Sequence, residues 1–135
     1  MIFKNYSESA SLLAQKIQSE QLQNPMLVYI DHDDQPYCQL VAQNLNLPLS
    51  YLPDLISNLP ATPNVIILDS GQTSAQEYNE FTDIIRKKLP IVQITLAIPV
   101  IPTAEETTLK SLCDRLLTLH VEPLFFSIDQ FYETH

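Results

Sequence analysis

Val65-Ile66-Ile67-Leu68-Asp69-Ser70-Gly71-Gln72-Thr73-Ser74-Ala75 is the stretch on which the fold turns. Its first four residues are apolar, as in a strand covered on both faces. Downstream, Ala75, Tyr78, Phe81, Ile84 and Ile85 recur at helical spacing, with Glu77, Glu80 and Asp83 on other faces. The segment therefore reads as strand, sharp turn and helix. Gly71 is the one glycine in 135 residues, and it stands at the turn. A turn that requires positive φ accounts for it, and so does a loop whose backbone approaches a ligand.

Working outward, the same alternation repeats. Ser7 precedes a helical pattern at Ala10, Leu13, Ala14 and Ile17, which suggests an N-cap and a first helix. Asn24-Pro25 breaks it, and Met26 to Ile30 reads as a buried strand that runs into Asp31-His32-Asp33-Asp34. Pro36 suits the first turn of a second helix, which places Cys38, Val41, Ala42 and Leu45 on one face. A short strand follows at Leu49 to Leu52. Pro53, Pro60 and Pro63 leave room for one helical turn at Asp54 to Leu59. Past the long helix, Ile91 to Pro99 reads as a strand, Ala104 to Asp114 as a helix and Arg115 to His120 as a fifth strand. The aromatic-rich tail, Pro123 to Glu133, is expected to cover the edge of the core as irregular structure or a short helical turn.

Strands that alternate with helices imply right-handed βαβ units. The expected architecture is α/β: one domain over residues 1–135, with a mainly parallel, Rossmann-like five-stranded sheet and helices on both faces. In such sheets ligands bind beyond the carboxyl ends of the strands. Those ends are Ile30 to Asp34, Leu68 to Gly71 and Ile98 to Val100.

Composition narrows the partners. Seven basic against sixteen acidic residues give a net charge of −9, and only Arg86-Lys87-Lys88 cluster, at a helix end where the dipole favours cations. Nucleic acid is excluded as an expected partner. No apolar run approaches the roughly 20 residues of a membrane helix, so a cytoplasmic protein without membrane contact is expected. Cys38 and Cys113 lack metal-knuckle spacing and read as small core residues. His32, His120 and His135 are scattered, with His135 simply the terminus; no histidine metal cluster follows.

The quoted stretch resembles the phosphoribosyl-pyrophosphate loop of the type I phosphoribosyltransferases, whose motif is four apolar residues, two acids, Gly, two variable residues and Thr-Gly. The rest of the chain is similar to a bacterial branch of that family in the same order. Phe3-Lys4-Asn5 and the Leu12-Leu13-Ala14 helix resemble its opening, and Ile30 to Ala42 its first loop and helix. Leu96 to Pro102 resembles its fourth strand, and Phe126 to Glu133 its C-terminus.

The resemblance also locates departures. Where the family has Pro-Arg-Gly-Gly around pyrophosphate, this chain has Asp31-His32-Asp33-Asp34, which removes close backbone approach and adds like charge. A bridging Mg²⁺ would reverse that sign. In the loop, Asp69 keeps the first ribose-binding acid and Ser70 replaces the second. Gly71 is kept, Gln72 is a variable position, and Thr73 stands where some relatives carry a catalytic acid. Ser74 substitutes for the Thr hydroxyl, Ala75 for a Gly and Glu77 for a hydroxyl residue. Helix N–H groups there still attract an anion, and Glu77 competes for them. The family's long insertion between its second and third strands shrinks here to residues 53–63.

Three functions remain open. In the first, a degenerate phosphoribosyltransferase-like domain without catalysis serves as a binding or interaction module, with a phosphosugar or nucleotide as ligand and a homodimer as the expected assembly. In the second, an active transferase uses phosphoribosyl pyrophosphate with Mg²⁺ and needs a partner chain to complete its site. In the third, Asp31, Asp33, Asp34 and Asp69 bind Mg²⁺ in a small phosphoryl-transfer or receiver-like domain, although no lysine stands at a later strand end. A solvated acidic loop accounts for the same aspartates, and hydroxyls before a helix are ordinary caps.

Overall fold

The computed structural model describes residues 2–134; His135 lies outside them. At its centre is β3 (Asn64–Leu68), buried along its whole length as the apolar run requires. Around it lie α1 (Tyr6–Ser19), β1 (Pro25–Tyr29), α2 (Gln35–Leu45), β2 (Leu49–Tyr51) and α3 (Leu52–Leu55). After β3 come α4 (Ala75–Lys88), β4 (Gln93–Ala97), β5 (Val100–Pro102), α5 (Glu106–Leu112), β6 (Arg115–Leu117) and β7 (His120–Glu122). Five strands pair in the order β2-β1-β3-β4-β6, all parallel.

Side-chain alternation along the strands builds two cores. Leu27, Ile66 and Leu68 face α1 and α2, where they pack on Leu13, Ile17, Cys38 and Val41. Val28, Val65, Ile67 and Leu96 face the other way, onto Tyr78 and Ile85 of α4 and Leu109 of α5. Helices thus cover both faces, in the expected architecture.

Several local expectations change. The cap of α1 is Asn5, whose side chain accepts the Glu8 N–H at 2.9 Å, because extended backbone at Asn5 starts the helix earlier than a Ser7 cap allows. The fifth strand does not run from Arg115 to His120. It stops at Leu117, and β7 begins at His120 in a separate two-stranded sheet with β5. Pro99 lacks an N–H, so the ladder breaks beside it; its carbonyl instead accepts the N–H groups of Leu119 and His120. Cys38 is buried, but Cys113 is half-buried, because α5 ends at Leu112 and the thiol donates to the Leu109 carbonyl.

The tail covers the core through a 3-10 turn at Ile128–Phe131, burying Ile128, Phe131 and Tyr132 against Phe3. It is tied to the N-terminus by Phe3 N–H to Phe131 O (2.6 Å) and Glu133 N–H to Phe3 O (2.9 Å). Tyr132 also donates to Ser9 at 3.0 Å, and Ser9 pairs with Tyr37 at 2.9 Å.

Candidate functional site

Because β1 lies between β2 and β3, the chain leaves β1 in one direction and later returns on its other side. A crevice at such a switch point is where open α/β sheets place ligands. The loops at its mouth are Asp31 to Asp34 and Asp69 to Ser74.

The first loop turns its acids in different directions. Asp31 caps the 3-10 turn His32–Asp34 by accepting the Asp33 N–H at 2.9 Å. The His32 ring stacks on Tyr51, with centroids 3.8 Å apart, and Asp33 points to solvent. Asp34 alone turns inward; it is 1% exposed and accepts a hydrogen bond from the Ser70 hydroxyl. Among the described residues no three His, Cys, Asp or Glu side chains gather closely enough to hold a metal ion. Asp31, Asp33 and Asp34 are therefore not brought together.

Asp69 is fully buried, and its Oδ1 accepts the backbone N–H groups of Gly71 (2.6 Å), Gln72 (3.0 Å) and Thr73 (3.4 Å). At the start of α4, Ser74 and Glu77 form a reciprocal capping box. Glu77 N–H donates to Ser74 Oγ at 3.3 Å, while Ser74 N–H and Oγ donate to Glu77 Oε1 at 3.5 and 3.3 Å. The N–H groups of four successive residues, 71 to 74, are thus turned onto the chain's own carboxylates. Ala75, the first residue of α4, is half-buried against the core, and Gln72 is exposed.

Gly71 has φ +114°, a conformation that L side chains rarely adopt. A Cβ there would also lie 3.1 Å from Ile128 Cγ2 and 3.1 Å from the Val100 carbonyl. The tail and β5 therefore press on the loop from outside. Between tail and loop lies an open recess of about 390 Å³, bordered by Gly71, Gln72, Phe125 and Ser127. The connector between β2 and β3 is short, spanning residues 52–63. It folds as α3 and a 3-10 turn, Ile56–Asn58, with Leu52, Leu55 and Ile56 packed down on the core.

Electrostatics follow from burial. Loss of hydration, and then the Asp69 charge beside it, push Asp34 up to about 7, against the smaller opposing effect of the Ser70 hydrogen bond. Burial also raises the Tyr78 hydroxyl well above the ordinary tyrosine range, with Asp69 and Asp34 adding to it. The oxygens Asp34 Oδ2, Asp69 Oδ2, Thr73 Oγ1 and Tyr78 OH are all buried without a hydrogen-bond partner.

No protein-family model matches the sequence, and no curated protein matches it significantly. Solved structures do. The crystal structure of TT1426 from Thermus thermophilus superposes with a TM-score of 0.78 over 98% of this chain and 90% of that one, at 14% identity. Orotate phosphoribosyltransferase from Aeropyrum pernix gives a TM-score of 0.65 at 18% identity, covering 86% of this chain and 70% of that one. The fold is that of the type I phosphoribosyltransferases. The xanthine-guanine-hypoxanthine phosphoribosyltransferase of Helicobacter pylori agrees, with a TM-score of 0.56 over 87% of this chain and 84% of that one, at 14% identity.

Residues 69–74 form the turn between β3 and α4, the strand-to-helix junction expected there. What sequence reasoning missed is the Asp34–Ser70 contact. Its only signal was an acid beyond β1 and a hydroxyl beyond β3, and their meeting required knowing that β1 and β3 are neighbours.

Proposed function

We propose that the chain is a phosphoribosyltransferase-fold module that does not catalyse transfer and acts as a binding or interaction module. The observation that carries this reading is that Asp69 and Glu77 occupy the N–H donors of the loop. Electrostatic catalysis of transfer needs donors aimed at the substrate's charge, and donors already bonded to the chain's own carboxylates must first be released. Asp34 adds a second obstacle, since it stands where the resemblance expects a backbone open to pyrophosphate. The short connector between β2 and β3, packed on the core, supports the same reading, since a long segment to close over a reaction centre is lacking between those strands.

The neighbours named as phosphoribosyltransferases make phosphosugars and nucleotides the ligand class to test. Use of the module in a protein contact, self-association included, belongs to the same reading; Leu124 and Phe126, two residues apart on the tail, are exposed apolar side chains it would draw on.

The test is turnover. Incubated with phosphoribosyl pyrophosphate, Mg²⁺ and each common nucleobase, the protein is expected to release no pyrophosphate above buffer hydrolysis, followed by phosphorus NMR. Release that depends on both protein and base would establish the alternative, an active Mg²⁺-dependent transferase, and overturn the proposal.

A further inference from the structure

An apolar groove of about 440 Å³ opens at the amino ends of β3 and β4, at the far end of the sheet from the loop after β3. Ala61 and Pro63 line it from the segment entering β3, and Leu89, Pro90 and Ile91 from the segment entering β4. Ile91 is 95% exposed. Five of the chain's seven basic residues, Arg86, Lys87, Lys88, Lys110 and Arg115, stand in the last turns of α4 and α5 and at the start of β6. Four of these are held in ion pairs, with Asp114, Asp83, Glu106 and Glu20. Lys88, which lines the groove, makes no ion pair among the described residues. The groove is thus apolar with one uncompensated cation on its rim.

The opposite end of the molecule carries the matching surface. No lysine or arginine follows Arg115, while Glu122, Asp129 and Glu133 lie in the tail. Between the first two of these acids, Leu124 is 67% and Phe126 84% exposed. Their presentation is fixed by Gln130, whose Nε2 donates to the Leu124 carbonyl at 2.9 Å and whose Oε1 accepts the Phe126 and Ser127 N–H groups at 2.6 and 3.1 Å. A segment held in one conformation loses little entropy when it docks. We infer that the tail of one copy docks in the groove of the next, Leu124 and Phe126 supplying the apolar contact and Lys88 the counter-charge to Glu122 and Asp129.

Charge decides between this pairing and its alternatives. Groove against groove across a two-fold axis would set Lys88 against Lys88, and tail against tail would set acid against acid. Only groove against tail matches charge as well as apolarity. Because the two surfaces sit at opposite ends of the sheet, the contact is head-to-tail and each copy keeps one of each surface for a further neighbour. This gives the interaction role under the proposed function a surface and a partner, and it rests on that role. Its failure is separable: a chain that stays monomeric and releases no pyrophosphate loses the contact and keeps the non-catalytic reading.

The test is sedimentation velocity on the whole chain up to about 1 mM, the range of weak contacts. The parent is expected to grow in mass with concentration beyond a dimer, and the association should weaken about tenfold or more between about 0.05 M and about 0.5 M NaCl. Phe126→Ser removes the tail anchor, and Ile91→Glu places an acid in the groove. Both side chains are exposed, so each variant should fold, checked by circular dichroism, and each should be monomeric alone. Mixed in equal amounts, the two variants retain one intact groove and one intact tail between them and should form a 1:1 dimer and nothing larger. A parent that is monomeric throughout overturns the inference, as does association that salt leaves unchanged. Phe126→Ser that associates like the parent overturns it too, and so does a mixture that stays monomeric.

Discussion

The Asp69 carboxylate accepts the Gly71 N–H at 2.6 Å, so the residue immediately after β3 also fixes the turn that follows it. A strand end, a tight turn and a helix start are thereby joined through one buried side chain. The same contact takes up backbone donors that an incoming anion requires.

Gly71→Ala tests the turn. The new Cβ meets both a positive φ and two atoms at 3.1 Å, one of them the fixed Val100 carbonyl. A loss of about 2–4 kcal/mol in denaturant unfolding is expected, combining backbone strain with displacement of Ile128. A variant as stable as the parent would show that the tail does not press on the loop.

The capping box is tested at Ser74. Ser74→Ala removes the acceptor for the Glu77 N–H and is expected to lower stability by about 1 kcal/mol. Ser74→Asp keeps an acceptor at the cap and should restore most of that loss, measured by thermal unfolding.

Stability should depend on pH through Asp34. Its carboxyl is raised from 3.8 to about 7, so between those values the folded chain keeps a proton that the unfolded chain releases. Stability is then greatest on the acid side of this window, declines as pH rises through it, and levels off above the folded value. Asp34→Asn removes the contribution, and at about pH 8 it should be more stable than the parent by roughly 1–3 kcal/mol. A parent whose stability rises over the same window contradicts this.

Tyr132→Phe tests the tail anchor. Loss of the hydroxyl leaves Ser9 with Tyr37 alone, and about 1–2 kcal/mol of stability is expected to go with it. Hydrogen exchange of the Glu133 amide, which donates to Phe3 O, should quicken by more than that of amides in β3.

These effects divide between what the sequence shows and what it hides. β3 and α4 were legible because an apolar run and a period of 3.6 are local signals, and Asp69 was legible as the acid that ends the strand. The split of β6 from β7 was not. Leu116 to Val121 keeps a continuous pattern, and the break comes from Pro99 on another strand. The inward turn of Asp34 was hidden for the same reason, since four residues of acidic loop look uniformly solvated until one finds Ser70 across the sheet. Ile128 over Gly71 is a contact between the tail and the centre of the chain, and no spacing rule encodes it.

Calorimetric titration of phosphoribosyl pyrophosphate into the protein, with Mg²⁺ present and absent, tests the central claim most directly. With the loop donors held by Asp69 and Glu77, no saturable heat that requires Mg²⁺, the mark of a substrate-competent transferase site, is expected. A saturable isotherm in the presence of Mg²⁺, weakened by Ser74→Ala, would show that the loop opens to the phosphosugar and would contradict the account.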